Sequence, residues 1–423
     1  MRLIVVDRSV ASRRHFWPVA LSRPIWELRC GMTTLGEKLQ AKVGASDVAY
    51  FLPEYMAEVY RAKTDRPVNN VSSLAGDLLI VDARIKADSL AVPDRSEVGV
   101  DEQGQVLYVR VTAGDSKKVH GGDLDAFLES AKAALPNVRC ALPMWNYTWD
   151  LILASPHQIT ADFALAGRSG IEGTVEEPSA IRGSRNDVYV ARGAKIHPMV
   201  VLDAEHGPIY IEEDVEVHPF TRIEGPCYIG NKSILLGAKC REGNSIGPWC
   251  RIGGEVEESI IQGYSNKYHD GFLGHAYVGE WVNLGALTTN SDLKNDYTNV
   301  SVMLDGKHCI DTGSTKVGCL IGDHTKTSIG VFFNTGSYVG AMGILMSTGK
   351  PLPKFIPSFS WFVEGVVTKG FGRKSLYETA AKAMGRRKCR WTPADQAMWD
   401  AIFEMTAETR DEAVKKGRKA MMK

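Results

Sequence analysis

From Val188 onward, apolar side chains recur at every sixth residue: Val190, Ile196 and Leu202, then Ile211, Val217, Ile223 and Ile229. After a one-residue slip the pattern reads Ile234, Cys240, Ile246 and Ile252, and it resumes at Ile321, Thr327, Phe333, Val339 and Leu345. Glycine follows many of the apolar positions, as in Ile229-Gly230, Ile246-Gly247, Ile252-Gly253, Ile321-Gly322 and Val339-Gly340. Strands of a sandwich alternate with period two and amphipathic helices repeat at about 3.6, so neither accounts for a step of six. That step fits a three-sided coil, in which one apolar residue per side points inward and the small residue beside it leaves room at the corner. Stacked coils then share a parallel ladder with strands about 4.8 Å apart. Residues 176–355 are therefore expected to form a left-handed parallel β-helix of hexapeptide repeats.

The flanking patterns differ. Over 1–175, short apolar runs (Leu3–Val6, Val48–Leu52, Leu78–Val81, Val106–Val111) alternate with stretches of helical character such as Thr33–Lys42. This predicts an α/β domain with a mostly parallel sheet. Over 356–423 helix starts take over, at Ser375-x-x-Glu378 and at Thr392-Pro393-Ala394-Asp395, which predicts a C-terminal helical tail. Met398, Trp399, Ile402, Phe403 and Met405 fall mainly on one side of the second helix, a face suited to covering the β-helix or a neighbour. The run Arg386-Arg387-Lys388 reads as a solvated basic face.

A chain of 423 residues accommodates two or three domains. Lysine plus arginine and aspartate plus glutamate both number 50, which removes any global electrostatic case for nucleic acid or an anionic membrane and leaves small molecules as the default partner. The eight cysteines show no CxxC pair, which favours a reducing, cytoplasmic setting. No run approaches the roughly 20 apolar residues that span a bilayer, and the opening Met1–Asp7 segment is too short an apolar run for a signal peptide.

Polar side chains are densest between Ile260 and Val302. There His269, beside Asp270, is the candidate general base, because an imidazole titrates near neutrality. Its task would be to take a proton from a substrate amine attacking a thioester carbonyl, with backbone N–H groups stabilising the oxyanion. The bland alternative is a loop-bridging hydrogen bond, and His275 is read as structural. Lys267, Lys294, Lys316 and Lys326 are candidate cations for sugar phosphate or coenzyme A phosphates. In the first half no glycine-rich phosphate loop follows the first strand, so Arg23 and Arg29 are the candidate phosphate grips. Asp82, at a strand end, is the candidate nucleotide or metal contact.

The strings Gly253-Gly254-Glu255-Val256-Glu257, Ser265-Asn266-Lys267 with His269, Phe272-Leu273-Gly274, Glu280-Trp281-Val282-Asn283-Leu284-Gly285-Ala286 and Ile321-Gly322-Asp323-His324-Thr325-Lys326-Thr327 resemble the GlmU-like bifunctional family. The resemblance is to its archaeal-type branch with a divergent sugar nucleotidyltransferase-like N-terminal domain, and it covers residues 1–370. It implies acetyl transfer from acetyl-CoA to an amino-sugar phosphate, with His269 as base. It also implies sugar-1-phosphate nucleotidyl transfer that uses a nucleoside triphosphate and Mg2+, and a homotrimer with acyl-CoA clefts between adjacent β-helices. Asn283, Asn290, Asp292 and Lys294 fall in or near the substrate-binding strings. The chain departs from the family at Phe272, where tyrosine is frequent, and at Asp292, where asparagine is expected, so that Asn290 takes the role of that amide. Glu257 stands where bacterial members place a phosphate-binding lysine.

Two other classes compete. A metal-dependent lyase of the carbonic-anhydrase type would draw on His269, His275, His308 and His324, although these lack close ligand spacing and no residue is assigned as a metal ligand. A noncatalytic nucleotide-sugar-binding or assembly protein would show no turnover.

Overall fold

The computed structural model describes residues 1–8 and 10–422. Contacts divide the chain into two units, one of Met1–Arg13, Ser22–Leu28 and Thr33–Asn146, the other of Arg14–Leu21, Arg29–Met32 and Tyr147–Lys423.

The first unit is built on a six-stranded sheet in the order Val48–Phe51, Arg2–Val6, Leu78–Asp82, Val106–Val111, Glu97–Val100, Asn137–Arg139. The first three strands are parallel, as are the last two. Val106–Val111 runs antiparallel to both of its neighbours. Ile4, Ile80, Val98 and Val109 are buried with Phe127 and Leu128, which lie on the helix Leu124–Ala134. The helix expected near Thr33–Lys42 spans Leu35–Val43. It opens on a capping box, where Thr34 Oγ1 accepts from Glu37 N–H, and closes at Gly44 with φ 65°, the left-handed corner that glycine takes without penalty.

In the second unit the step of six becomes a parallel β-helix. One side is a ten-stranded sheet running from Gly170–Ile171 to Phe355–Ile356. Val190, Ile211, Ile229, Ile246, Ile261, Val278, Ile321 and Val339 stand in register along it, none more than 2% exposed. A second side stacks Ile196, Val217, Leu235 and Ile252, and a third stacks Leu202, Ile223, Cys240, Val256 and Leu273. The inward residue is Leu235, not the expected Ile234, which is only partly buried. The slip therefore lies one side later, where the ladder shifts between Leu236 and Lys239 and Gly237 adopts φ 54°. Two adjacent apolar residues gave the six-step pattern no means of choosing between them. Polar residues also take inward positions: Lys267 lies against Ile252, Asn290 against Phe333 and Thr327 against Leu345.

The tail consists of helices Gly372–Gly385, Pro393–Met405 and Ala407–Met421. Thr392 caps the second as expected, in a reciprocal capping box with Asp395. The first begins at Gly372, so Ser375 lies inside it and is not its cap. Met398, Trp399 and Ile402 are buried, whereas Met405 is 42% exposed and leaves the apolar face. Among the described residues no helix is long and apolar enough to cross a membrane.

Candidate functional site

His269 occupies the corner that follows the strand Asn266–Lys267. Because Lys267 takes the inward position on that strand, its Nζ lies inside the coil, donating to the carbonyl oxygens of Gly253 (2.9 Å) and His269 (2.6 Å). Burial pulls its pKa down to about 8, since desolvation disfavours the ammonium. Lys267 therefore props the corner from within and presents no charge to a phosphate outside. His269 and Asp270 are both exposed, and among the described residues no hydrogen bond joins them. The Asp270 carboxylate does not orient this imidazole.

The His269 ring opens onto a cavity of about 440 Å³ lined by Arg251, Asn266, Tyr268, Asn283, Arg386 and Arg387, among others. A second cavity of about 300 Å³ shares Asn266, Asn283, Arg386 and Arg387 and adds Lys326 and Lys382. Neither lining includes an aspartate or glutamate. Arg387 Nη2 donates to Asn266 Oδ1 (3.0 Å), and Asn266 Nδ2 donates to Asn283 Oδ1 (3.1 Å). Arg387 Nε is buried without a hydrogen-bond partner among the described residues. Burial and the nearby charges of Arg251 and Arg386 lower its pKa. Lys326 Nζ donates to the carbonyls of Trp281 and His324, and burial brings its pKa down to about 7. Cations without carboxylates, in a partly desolvated cleft, suit an anionic ligand. Arg386 and Arg387 were expected on a solvated face; the fold brings them to this cleft.

His275 has a different setting, 2% exposed. Its Nδ1 lies 2.8 Å from Asp292 Oδ2 and its Nε2 3.3 Å from Glu258 Oε2. Burial opposes its charge, but the two carboxylates prevail and raise its pKa to about 9. Beside it Glu257 receives Arg241 at 2.7 Å and Lys316 at 3.2 Å. Asp292 and Lys316 thus belong to a set of charges paired with one another. Asn290 is buried as well, its amide bridging the backbone of Gly274 as acceptor from N–H (2.8 Å) and donor to C=O (2.9 Å). Lys294 donates to Thr298 Oγ1 and the Asn299 carbonyl within its own loop.

The candidates from the first half are not brought together in one unit. Arg29 lies in the second unit, donating to the carbonyls of Gln262 (3.3 Å) and Met32 (2.9 Å). Arg23 is buried in the first, where its carbonyl accepts from Arg13. Asp82 is held by Arg84 through both oxygens, at 3.0 and 2.8 Å. Asp7, at the end of the first strand, is ion-paired with Arg13 and accepts from Ile25 N–H. Each strand-end carboxylate is thus paired with a guanidinium, which leaves neither with an unneutralised charge to offer Mg2+.

Residues 3–169 match the family model described as sugar nucleotidyl transferase. A bifunctional sugar-1-phosphate nucleotidylyltransferase/acetyltransferase of Sulfurisphaera tokodaii is 36% identical over 147 residues, 32% of this chain and 34% of that protein. The bifunctional protein GlmU of Rippkaea orientalis is 28% identical over 144 residues, 33% of this chain and 30% of that protein. That of Thermotoga petrophila is 25% identical over 183 residues, covering 39% and 38%. Over these stretches the chain is similar to the GlmU-like bifunctional proteins. It spans about a third of the length of these curated relatives. A solved UDP-N-acetylglucosamine acyltransferase aligns over 57% of this chain and 91% of its own, at 14% identity and a TM-score of 0.25. Within the GlmU-like strings, His269 and Asn283 reach the cleft, whereas Asn290 serves the coil interior.

Proposed function

We propose that the chain is a transferase of nucleotide-sugar metabolism that works at the His269 cleft. The observation that supports this reading most is an exposed imidazole, without a carboxylate partner among the described residues, at the rim of a cavity lined by Arg251, Arg386 and Arg387. The reaction is transfer of the acetyl group of acetyl-CoA to the amine of an amino-sugar-1-phosphate. The amine attacks the thioester carbonyl, His269 takes the amine proton, and the carbon–sulfur bond breaks to expel CoA thiolate, which receives that proton from His269 and leaves as the thiol. The arginines hold phosphate groups of substrate or CoA and fix the attack geometry. The relatives' names join acetyl transfer to sugar-1-phosphate nucleotidyl transfer. The N-terminal domain accordingly converts a nucleoside triphosphate and a sugar-1-phosphate to a nucleotide sugar and pyrophosphate. The protein acts as a homotrimer in the cytoplasm, with domain limits near residues 175 and 355.

Two coupled assays test this. Free thiol released from acetyl-CoA with glucosamine-1-phosphate, and pyrophosphate released from a panel of sugar-1-phosphates and nucleoside triphosphates, are the expected products. An absence of both across the panel would leave a noncatalytic binding protein. The lyase alternative has less in its favour: His275 is held between carboxylates and His308 is paired with Asp305 at 2.6 Å. Among the described residues no three-ligand group contains His269, His275, His308 or His324.

A further inference from the structure

Far from the His269 cleft in sequence, the first coils of the β-helix bring together a second set of ligating side chains. Strand Lys195–Ile196 pairs with Glu216–Val217, with Lys195 opposite Glu216 and Ile196 opposite Val217. The next residues, His197 and His218, continue this register, and His197 N–H donates to the Val217 carbonyl at 2.9 Å. Because Ile196 and Val217 point into the coil, the residues flanking them point out. Glu216, His197 and His218 thus share one outer face. The two imidazoles stack with centroids 5.1 Å apart and planes 27° apart.

Glu216 Oε1 lies 3.0 Å from His197 Nε2 and 3.6 Å from His218 Nε2, and one donor atom from each of the three residues lies within 4.8 Å of the others. A tetrahedral ion with bonds of about 2.0–2.1 Å holds its donors roughly 3.3 Å apart, and the two measured separations bracket that edge. A hydrogen bond accounts for the His197 contact, whereas His218 Nε2 stands beyond hydrogen-bond range of the same oxygen, at the spacing of a second donor around a shared ion. Behind His197, Glu176 Oε2 stands 3.2 Å from Nδ1. This carboxylate on the far ring nitrogen is what fixes the orientation of a metal-binding imidazole.

We propose that His197, Glu216 and His218 form a binding site for a divalent transition-metal ion of the zinc class, with Glu176 as the positioning residue behind His197. Two imidazole nitrogens and one carboxylate oxygen suit such an ion better than Mg2+ or Ca2+, which prefer all-oxygen shells. All three side chains are partly exposed, which leaves a fourth position for water or an anionic ligand. The site is independent of the acetyl-transfer reading. His197 and His218 are one full coil apart, a separation that a search for closely spaced ligands passes over.

The experiment uses the full chain, stripped with a chelator, then titrated with Zn2+ by calorimetry and with Co2+ by visible absorption. The expected result is uptake of about one equivalent with d–d bands of a low-coordinate Co2+ site. His218→Ala should weaken Zn2+ binding by at least about 100-fold and Glu176→Gln by about 10-fold, with circular dichroism confirming that both variants stay folded. His218→Gln is the substitute if His218→Ala fails to fold. Absence of stoichiometric uptake by the parent chain, or uptake undiminished in the folded His218 variant, would overturn the proposal.

Discussion

His269 and His275 stand six residues apart, on neighbouring corners of the same coils, yet their surroundings are opposite in kind. His275 is sealed, flanked by Asp292 and Glu258, with Glu257, Arg241 and Lys316 completing a set in which each charge has a partner. His269 is open, with cations across the cavity and no carboxylate lining it. A closed set of ions fixes a structure but has nothing left to offer a ligand. An open one leaves charge to be met from outside. On this ground the imidazole at 269 is proposed for chemistry and the one at 275 for the scaffold, although both fall within the same stretch of sequence between Ile260 and Val302.

The contrast can be broken most sharply at His269. His269→Gln should lower kcat for CoA release about 100-fold or more, the usual range for loss of a general base, with the unfolding midpoint unchanged because the side chain is exposed. A variant that keeps parental kcat would remove His269 from the mechanism. His275→Ala should do the reverse, costing about 3 kcal/mol in denaturant unfolding, since it takes the shared cation from buried Asp292 and partly buried Glu258. A loss below about 0.5 kcal/mol would show the cluster to be as expendable as an ordinary surface site.

The pH dependence sharpens the comparison further. His275 titrates at about 9 in the folded state against an ordinary 6.5. Its contribution is thus fully present below pH 6.5 and is lost as pH rises through 9. Lys267 and Lys326, brought by burial to about 8 and about 7, act in the opposite sense, since proton loss from the folded protein relieves a buried charge. The quantity to measure is therefore the stability difference between the parent and His275→Gln, which should shrink by about 2 kcal/mol between pH 6.5 and pH 9. A pH-independent difference would mean that the ring is neutral. The smallest effect is expected at Arg387. Arg387→Ala should raise KM for the phosphorylated substrates about 10-fold, with kcat changed less, as loss of a charge-assisted contact predicts. An unchanged KM would place the ligand elsewhere in the cleft.

Much of the coil was legible from the six-step pattern because each inward position is tested independently. Val190, Ile211, Ile229, Ile246, Ile321 and Val339 are all interior as expected. Ile234 was misjudged by one place because its neighbour Leu235 is equally apolar and the ladder shift at Leu236–Lys239 leaves no mark of its own besides Gly237. The site was read less completely. His269 was found from local composition, but Arg251, Arg386 and Arg387 reach it from other coils and from the tail, and only the fold brings them together. The sequence offers Lys267 as a cation for phosphate and, through the family resemblance, Asn290 as a substrate amide, whereas the fold turns both inward. Their carbonyl and amide partners, supplied by adjacent coils, make the interior placement tolerable.

Lys267 has one more consequence. Its ammonium is rooted in the interior and grips the oxygen of residue 269, so the stance of the imidazole is governed from beneath the surface by a group no solute can reach. Were that amine to shed its proton under alkaline conditions, the grip would weaken and the ring above would lose its footing.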